Sequence, residues 1–161
     1  STFSEQLQNS LKSGASIHIS GPQGNFTLNE ESPRSLVFIA CNAGFGPIKS
    51  LIEHALALDV AEHIHLYRIT TPGNNHYLGN LCRSWSDALD TVHCTAITAT
   101  DEQPVESLLP EITAGLEDQQ TLDFYACVPG PLLASVESHL IDQGVPPGHL
   151  RLEPLQQEPA D

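Results

Sequence analysis

Apolar residues fall in short unbroken runs, each followed by a stretch with helical spacing, and the alternation is clearest over residues 36–58. Leu36-Val37-Phe38-Ile39-Ala40 is continuously apolar, with the β-branched and aromatic content of a strand buried on both faces. Cys41-Asn42-Ala43-Gly44-Phe45-Gly46-Pro47 is a turn rich in small residues. Beyond it Ile48, Leu51, Ile52, Ala55, Leu56 and Leu58 recur at helical spacing, and Pro47 sits in the first turn, where a missing N–H costs nothing. Strand, glycine turn and helix make the opening of a nucleotide-binding βαβ unit. Small residues let a backbone approach a pyrophosphate, and the helix N-terminus offers it free N–H groups and positive potential. The same turn also serves plain strand-to-helix geometry.

The alternation continues. Strands are expected at Ile64–Ile69, Val92–Ile97, Leu122–Ala126 and His149–Leu152. Helices are expected from His76 to Trp85, over Leu108, Leu109, Ile112 and Leu116, and over Leu132, Leu133, Val136 and Leu140, with Gly144 closing the last. This predicts an α/β fold: a Rossmann-like parallel five-stranded sheet of order 3-2-1-4-5 flanked by helices, with ligands beyond the C-terminal strand ends. Residues 1–31 break the pattern. Phe3, Leu7 and Leu11 have helical spacing, Ile17 and Ile19 alternate as a strand, and Phe26-Thr27-Leu28 reads as a second strand after the Gly21–Gly24 turn. So little sheet is not stable alone, and the segment reads as a remnant of a β-barrel domain. The expected division is 1–31 remnant, 32–153 α/β domain and 154–161 polar tail.

Charge narrows the function classes. Twenty acidic residues against six basic ones give a net charge of −14, which opposes nucleic acid or an anionic membrane as a partner. No apolar run approaches the roughly 20 residues of a membrane span, and none reads as a signal peptide. Cys41, Cys82, Cys94 and Cys127 stand far apart without a C-x-x-C pair. Neither a zinc signature nor a disulfide framework is expected, and reduced thiols in a cytoplasmic protein are. His63 and His65 share one face of their strand, but no third ligand stands near them in sequence, so no metal site is expected.

Taken together, Gly21-Pro22-Gln23-Gly24-Asn25-Phe26, Ala40–Pro47, Tyr125-Ala126-Cys127-Val128-Pro129-Gly130-Pro131-Leu132, and Gly144-Val145 with Glu153 resemble the ferredoxin–NADP reductase superfamily. The likeness is to its pyridine-nucleotide domain with the tail of its FAD-binding domain. The matching family motifs are GPxGxF, A-G-G-T-G-I-A-P and Y-x-C-G-P-P-x-M. The resemblance implies an NAD(P)H-binding module of a flavin-dependent reductase that passes hydride from NAD(P)H to FAD. Its partners would be the missing FAD-binding domain and an electron-acceptor protein or iron–sulfur domain.

The resemblance implies Cys127 and Glu153 beside the reacting rings, with Cys127 shaping the site and not acting as a nucleophile. It implies cofactor binding by Ser4, Asn42, Ala43, Gly44, Pro47, Thr70, Thr71, Val128, Pro129 and Leu132. The chain departs from the family at Cys41 and Asn42, which replace two glycines, at Ala43, which replaces a threonine, and at Val128, which replaces a glycine. Thr71 stands where an Arg often holds the adenosine ribose or its phosphate, which favours NADH over NADPH. Cys41 either narrows the site or points into the core, and Glu153 is either a neighbour of the flavin edge or a surface carboxylate. These departures keep open a second reading, a degenerate relic with a structural, docking or regulatory role.

Overall fold

The structure is a computed structural model that describes residues 26–71, 79–116 and 118–155. Among the described residues, five strands, β1 (Ser35–Cys41), β2 (Ile64–Thr70), β3 (Val92–Thr98), β4 (Leu122–Pro129) and β5 (Leu150–Leu155), alternate with four α-helices. These are α1 (Phe45–Leu58), α2 (Gly79–Ala88), α3 (Val105–Ala114) and α4 (Gly130–Asp142). All pairings are parallel and the order is β3-β2-β1-β4-β5, as the alternation predicts.

The unbroken apolar runs are those of the central strands. Leu36–Cys41 of β1 and Leu122–Val128 of β4 are buried throughout, because helices cover both sheet faces. Side-chain parity divides the core. Val37, Ile39 and Cys41 join Phe124, Ala126 and Val128 beneath α3 and α4. Phe38 and Ala40 join Tyr125 and Cys127 beneath α1, with Cys82 of α2. Gly144 lies just beyond α4 with φ +97°, the left-handed geometry that favours glycine.

Several boundaries differ from expectation. Phe26-Thr27-Leu28 is irregular and not a strand. Leu28 is buried in the α1-side core, Phe26 meets the Tyr125 ring edge-on at 6.2 Å, and Asn29 N–H donates to Tyr125 Oη at 2.9 Å. These contacts with one side chain of β4 are satisfied without a ladder. β5 continues through Pro154 and Leu155, so the sheet reaches into the expected tail. An edge strand tolerates a proline because one of its sides needs no N–H. Helix α2 runs past Trp85 to Ala88. The expected strand at Ile17–Ile19, Ser4, the Gly21–Gly24 turn, the start of the His76 helix and residues 156–161 lie outside the described residues.

At the N-terminal edge of the sheet, β2 and β3 bring a third imidazole to the expected pair. His93 is in register with His65, and ring centroids are 5.1 Å apart for His65–His93, 5.7 Å for His63–His93 and 6.3 Å for His63–His65. Burial, then the neighbouring His93 and His63, hold His65 below its ordinary pKa. The folded chain therefore binds fewer protons than the unfolded one. The contribution is complete above about pH 6.5, the ordinary His value, and is lost as the pH falls through the lowered folded value. The urea midpoint is expected to drop between pH 7 and 5, and to drop less in His93→Gln. Equal pH slopes in the two chains would show that the rings do not sense each other.

Candidate functional site

The C-terminal strand ends gather most of the residues singled out in the sequence. Beyond β1, Asn42-Ala43-Gly44 forms a single tight turn leading into α1. Asn42 has φ 54°, the left-handed region, which glycine adopts freely and asparagine tolerates better than most residues. Its side chain then closes on the end of β2. Asn42 Nδ2 donates to Thr71 Oγ1 at 2.9 Å, and Thr71 N–H donates to Asn42 Oδ1 at 3.1 Å. Asn42 thus holds a backbone conformation that glycine would adopt freely, and adds a clasp between two candidate binding residues. Ala43 and Pro47 are exposed, and Thr70 is buried.

Gly44 explains how the turn sits. A Cβ there would collide with the Cys127 carbonyl oxygen and lie 3.2 Å from Cys127 Sγ. The turn therefore lies directly on β4, and Gly44 is buried against Cys127. On the far side of Cys127 stands Glu153, its register partner on β5. Glu153 is 4% exposed, so it is not a surface carboxylate, and its Oε2 is buried without a hydrogen-bond partner. Burial raises its pKa. Burial first, then the charges of Glu153 and Cys41, push Cys127 up to about 12. A thiol protonated at neutral pH is a poor nucleophile, in keeping with a shaping role.

Two helix N-termini converge at this edge, α1 from β1 and α4 from β4. Neither first turn carries an acidic residue, and no side chain caps either one. In a chain of charge −14, this leaves both positive dipole ends unneutralised by their own residues. Pro129 precedes α4, and an added Cβ at exposed Gly130 would meet nothing within 4 Å. A groove lined by Glu137, Ile141, Pro147, Leu150 and Leu152 lies on the outer side of α4 and β5, away from these residues.

Other candidates turn inward. Val128 is fully buried beneath α3 and α4, so only its backbone faces the edge, and Leu132 packs against the same cluster. Cys41 is fully buried on that face too, with burial pushing its pKa up to about 11. It does not narrow the turn. Ala40, not Cys41, is the register partner of Cys127, and β4 continues two residues past Cys127, so the two thiols lie on opposite faces of neighbouring strands. Cys41→Gly is therefore expected to leave a cavity in the core, at a cost of about 1–2 kcal/mol, and not to open the turn. Urea unfolding reads the loss, and an unchanged midpoint would place the thiol outside the core.

A five-stranded parallel sheet whose order reverses between β1 and β4, with two helix N-termini at that point, defines a Rossmann-like type of α/β domain. Comparison with known proteins agrees. No family model matches the chain. It is 24% identical over 147 residues to CDP-6-deoxy-L-threo-D-glycero-4-hexulose-3-dehydrase reductase of Yersinia pestis, covering 89% of this chain and 44% of that protein. It is 25% identical over 160 residues to a flavohemoprotein of Halalkalibacterium halodurans, covering 93% of this chain and 39% of that one. The solved structure of a ferredoxin NADP+ reductase from Neisseria gonorrhoeae with bound FAD and NADP superposes with a TM-score of 0.63 at 12% identity. That superposition covers 78% of this chain and 57% of that one. The relatives and structural neighbours are flavoprotein reductases of the ferredoxin–NADP reductase type, and the chain resembles that superfamily in sequence and fold. It spans less than half the length of the two curated relatives. Among the described residues no helix is long and apolar enough to cross a membrane.

Sequence reasoning missed one cluster near this edge. Arg68 of β2 is buried, with its guanidinium 3.9 Å from the centre of the Phe45 ring and Nη1 donating to Cys82 Sγ at 3.6 Å. Cys94 of β3 packs against the same cluster as Cys82, and its N–H donates to Ser86 Oγ of α2 at 3.3 Å. The signal was a helix that packs on the strand it feeds, with one cysteine on each.

Proposed function

We propose that the chain is the NAD(P)H-binding module of a flavin-dependent reductase, serving an FAD domain to which residues 1–31 would belong. The observation that carries this reading is the C-terminal edge of β1 and β4, where the Asn42–Gly44 turn and two helix N-termini without side-chain caps stand near a buried, unpartnered Glu153 oxygen. The donor set suits a dinucleotide. Backbone N–H groups at the starts of α1 and α4 would bind the pyrophosphate, and the Asn42–Thr71 clasp would hold the turn in its binding shape. Ala43, Pro129 and the Val128 backbone would line the approach, with Thr70 buried at the end of β2. Cys127 and Glu153 would bound the place of the reacting rings, with a protonated thiol and a carboxylate whose basicity burial raises. Bound together, the nicotinamide supplies a hydride and the flavin accepts it. The chain's own part is to bind, orient and exclude water.

NADH is the preferred form. Recognition of a 2′-phosphate needs a cation at the adenosine ribose, and Thr71 stands where the family resemblance puts an Arg, while Arg68 is buried against Phe45 and Cys82. The full protein would pass electrons to an acceptor protein or iron–sulfur domain.

Calorimetric titration of NADH and NADPH tests the reading. Saturable heat with both, tighter for NADH, is expected, and mixing with an FAD domain should let NADH bleach the flavin. No heat from a folded chain would overturn it in favour of a relic with a docking role. The departures at Cys41, Asn42, Ala43 and Val128 from the family pattern favour that second reading, and the retained Gly44, Pro47 and Pro129 favour the first.

A further inference from the structure

The Cys82–Cys94–Arg68 cluster has no part in the reading above and stands independently of it. Cys82 is 6% exposed on α2, Cys94 is half-buried on β3, and both are free thiols. Cys94 packs against the same core cluster as Cys82, and Arg68 Nη1 reaches Cys82 Sγ at 3.6 Å. The Cys94 backbone lies against the helix one turn on from Cys82, its N–H donating to Ser86 Oγ at 3.3 Å. The geometry points to a redox pair: a hydroperoxide oxidises Cys82, and Cys94 then closes a disulfide that staples α2 to β3.

The roles of the two sulfurs differ for a physical reason. The neighbouring Cys94 thiol and the Arg68 guanidinium, 3.6 Å from the sulfur, both favour the Cys82 thiolate, so Cys82 is held below the ordinary thiol range despite its burial. Cys94, which lacks that contact, is held above it by the neighbouring Cys82 and by burial. The thiolate is the nucleophile in thiol oxidation, and a neighbouring thiol resolves the product. The Cys82 thiolate attacks one peroxide oxygen, the O–O bond breaks, and hydroxide leaves. Sulfur is oxidised by two electrons to sulfenic acid and the peroxide is reduced. Cys94 sulfur then attacks Cys82 sulfur, an S–S bond forms, and the sulfenic oxygen leaves with the Cys94 proton as water. A dithiol reductant reverses the bridge by exchange. Closing the bridge removes the anion that Arg68 faces, directly beside Phe45 at the start of α1.

Peptide mapping of the whole chain after brief exposure to hydrogen peroxide tests this. Cleavage after Arg83 and Glu102 separates Cys82, Cys94 and Cys127 into different peptides. A Cys82–Cys94 bridge is expected, lost on treatment with dithiothreitol, while fully buried Cys41 and Cys127 stay reduced. Cys94→Ser should stop at sulfenic acid on Cys82, captured by dimedone, and Cys82→Ser should take up peroxide at least tenfold more slowly. Oxidation spread over all four cysteines, or Cys82 oxidised to sulfinic acid in the parent chain without a bridge, would overturn the proposal. The parent-chain map decides even where a variant fails to fold.

Discussion

Gly44→Ala is expected to destabilise the chain by about 3 kcal/mol, the upper part of the usual range for overpacking. The residue has φ −60° and ψ −12°, ordinary helical values. On backbone grounds alone, alanine at such a position stabilises by about 0.4–1 kcal/mol, because it narrows the unfolded ensemble. The steric term has the opposite sign and is larger. The new methyl would meet the Cys127 carbonyl oxygen, with the carbonyl carbon and Sγ each at 3.2 Å. That oxygen belongs to the backbone of β4, which is held by β1 on one side and β5 on the other. The turn is in turn clasped by Asn42 and Thr71. Neither side can retreat without breaking hydrogen bonds.

Two other glycines calibrate the measurement. Gly130→Ala, in open space at the start of α4, is expected to be neutral or slightly stabilising. Gly144→Ala, at φ +97° and with Gln120 Nε2 2.9 Å from the added carbon, is expected to cost about 1 kcal/mol. Urea midpoints rank the three. A Gly44→Ala chain as stable as the parent would mean that the turn does not sit on β4.

The elements that could be read in advance are those whose local and long-range demands coincide. The run Leu36–Cys41 must be buried on both faces whichever neighbours it takes, and the glycine turn must lead to a helix. Right-handed crossovers then leave only a handful of topologies, and the family resemblance picks out the observed order β3-β2-β1-β4-β5. What could not be read is which residue of one strand stands beside which residue of the next. The sequence pattern sets Cys41 and Cys127 at the ends of their strands, yet Ala40 is the partner of Cys127. One residue of register reverses the face, and it moves Cys41 from the site into the core. Cross-strand register likewise brings His93 beside His65 and Glu153 beside Cys127. The cluster of Arg68, Cys82 and Cys94 needs a strand, a helix and a second strand placed together, which no spacing along the chain encodes. Asn42 is the instructive intermediate case. Its replacement of a family glycine suggests a damaged turn, but it is one of the few residues that tolerate the left-handed conformation there.

Arg34→Ala is expected to lower stability by about 2–4 kcal/mol, near the cost of breaking a buried ion pair and reduced by partial exposure of the arginine. Arg34 Nε donates to Asp123 Oδ1 at 2.7 Å, with the arginine side chain 30% exposed and the aspartate 2%. Asp123 lies on β4 in register with Leu36, between two central strands, and its Oδ2 is buried without a partner. Removing the guanidinium leaves a buried carboxylate with one oxygen already unpaired and the other newly so. The same interaction anchors the segment entering β1, where Ser32 is also buried and its Oγ accepts from Arg34 N–H at 3.3 Å. If the penalty is that of a stranded charge and not of lost contacts, removing the charge as well should relieve it. The double variant Arg34→Leu with Asp123→Leu is expected to recover most of the loss, because an apolar pair replaces a buried ion pair at little or no cost. Urea unfolding of the parent, Arg34→Ala and double-variant chains decides between the two accounts. A double variant no more stable than Arg34→Ala would show that the arginine acts through packing, and that the carboxylate is hydrated where it stands.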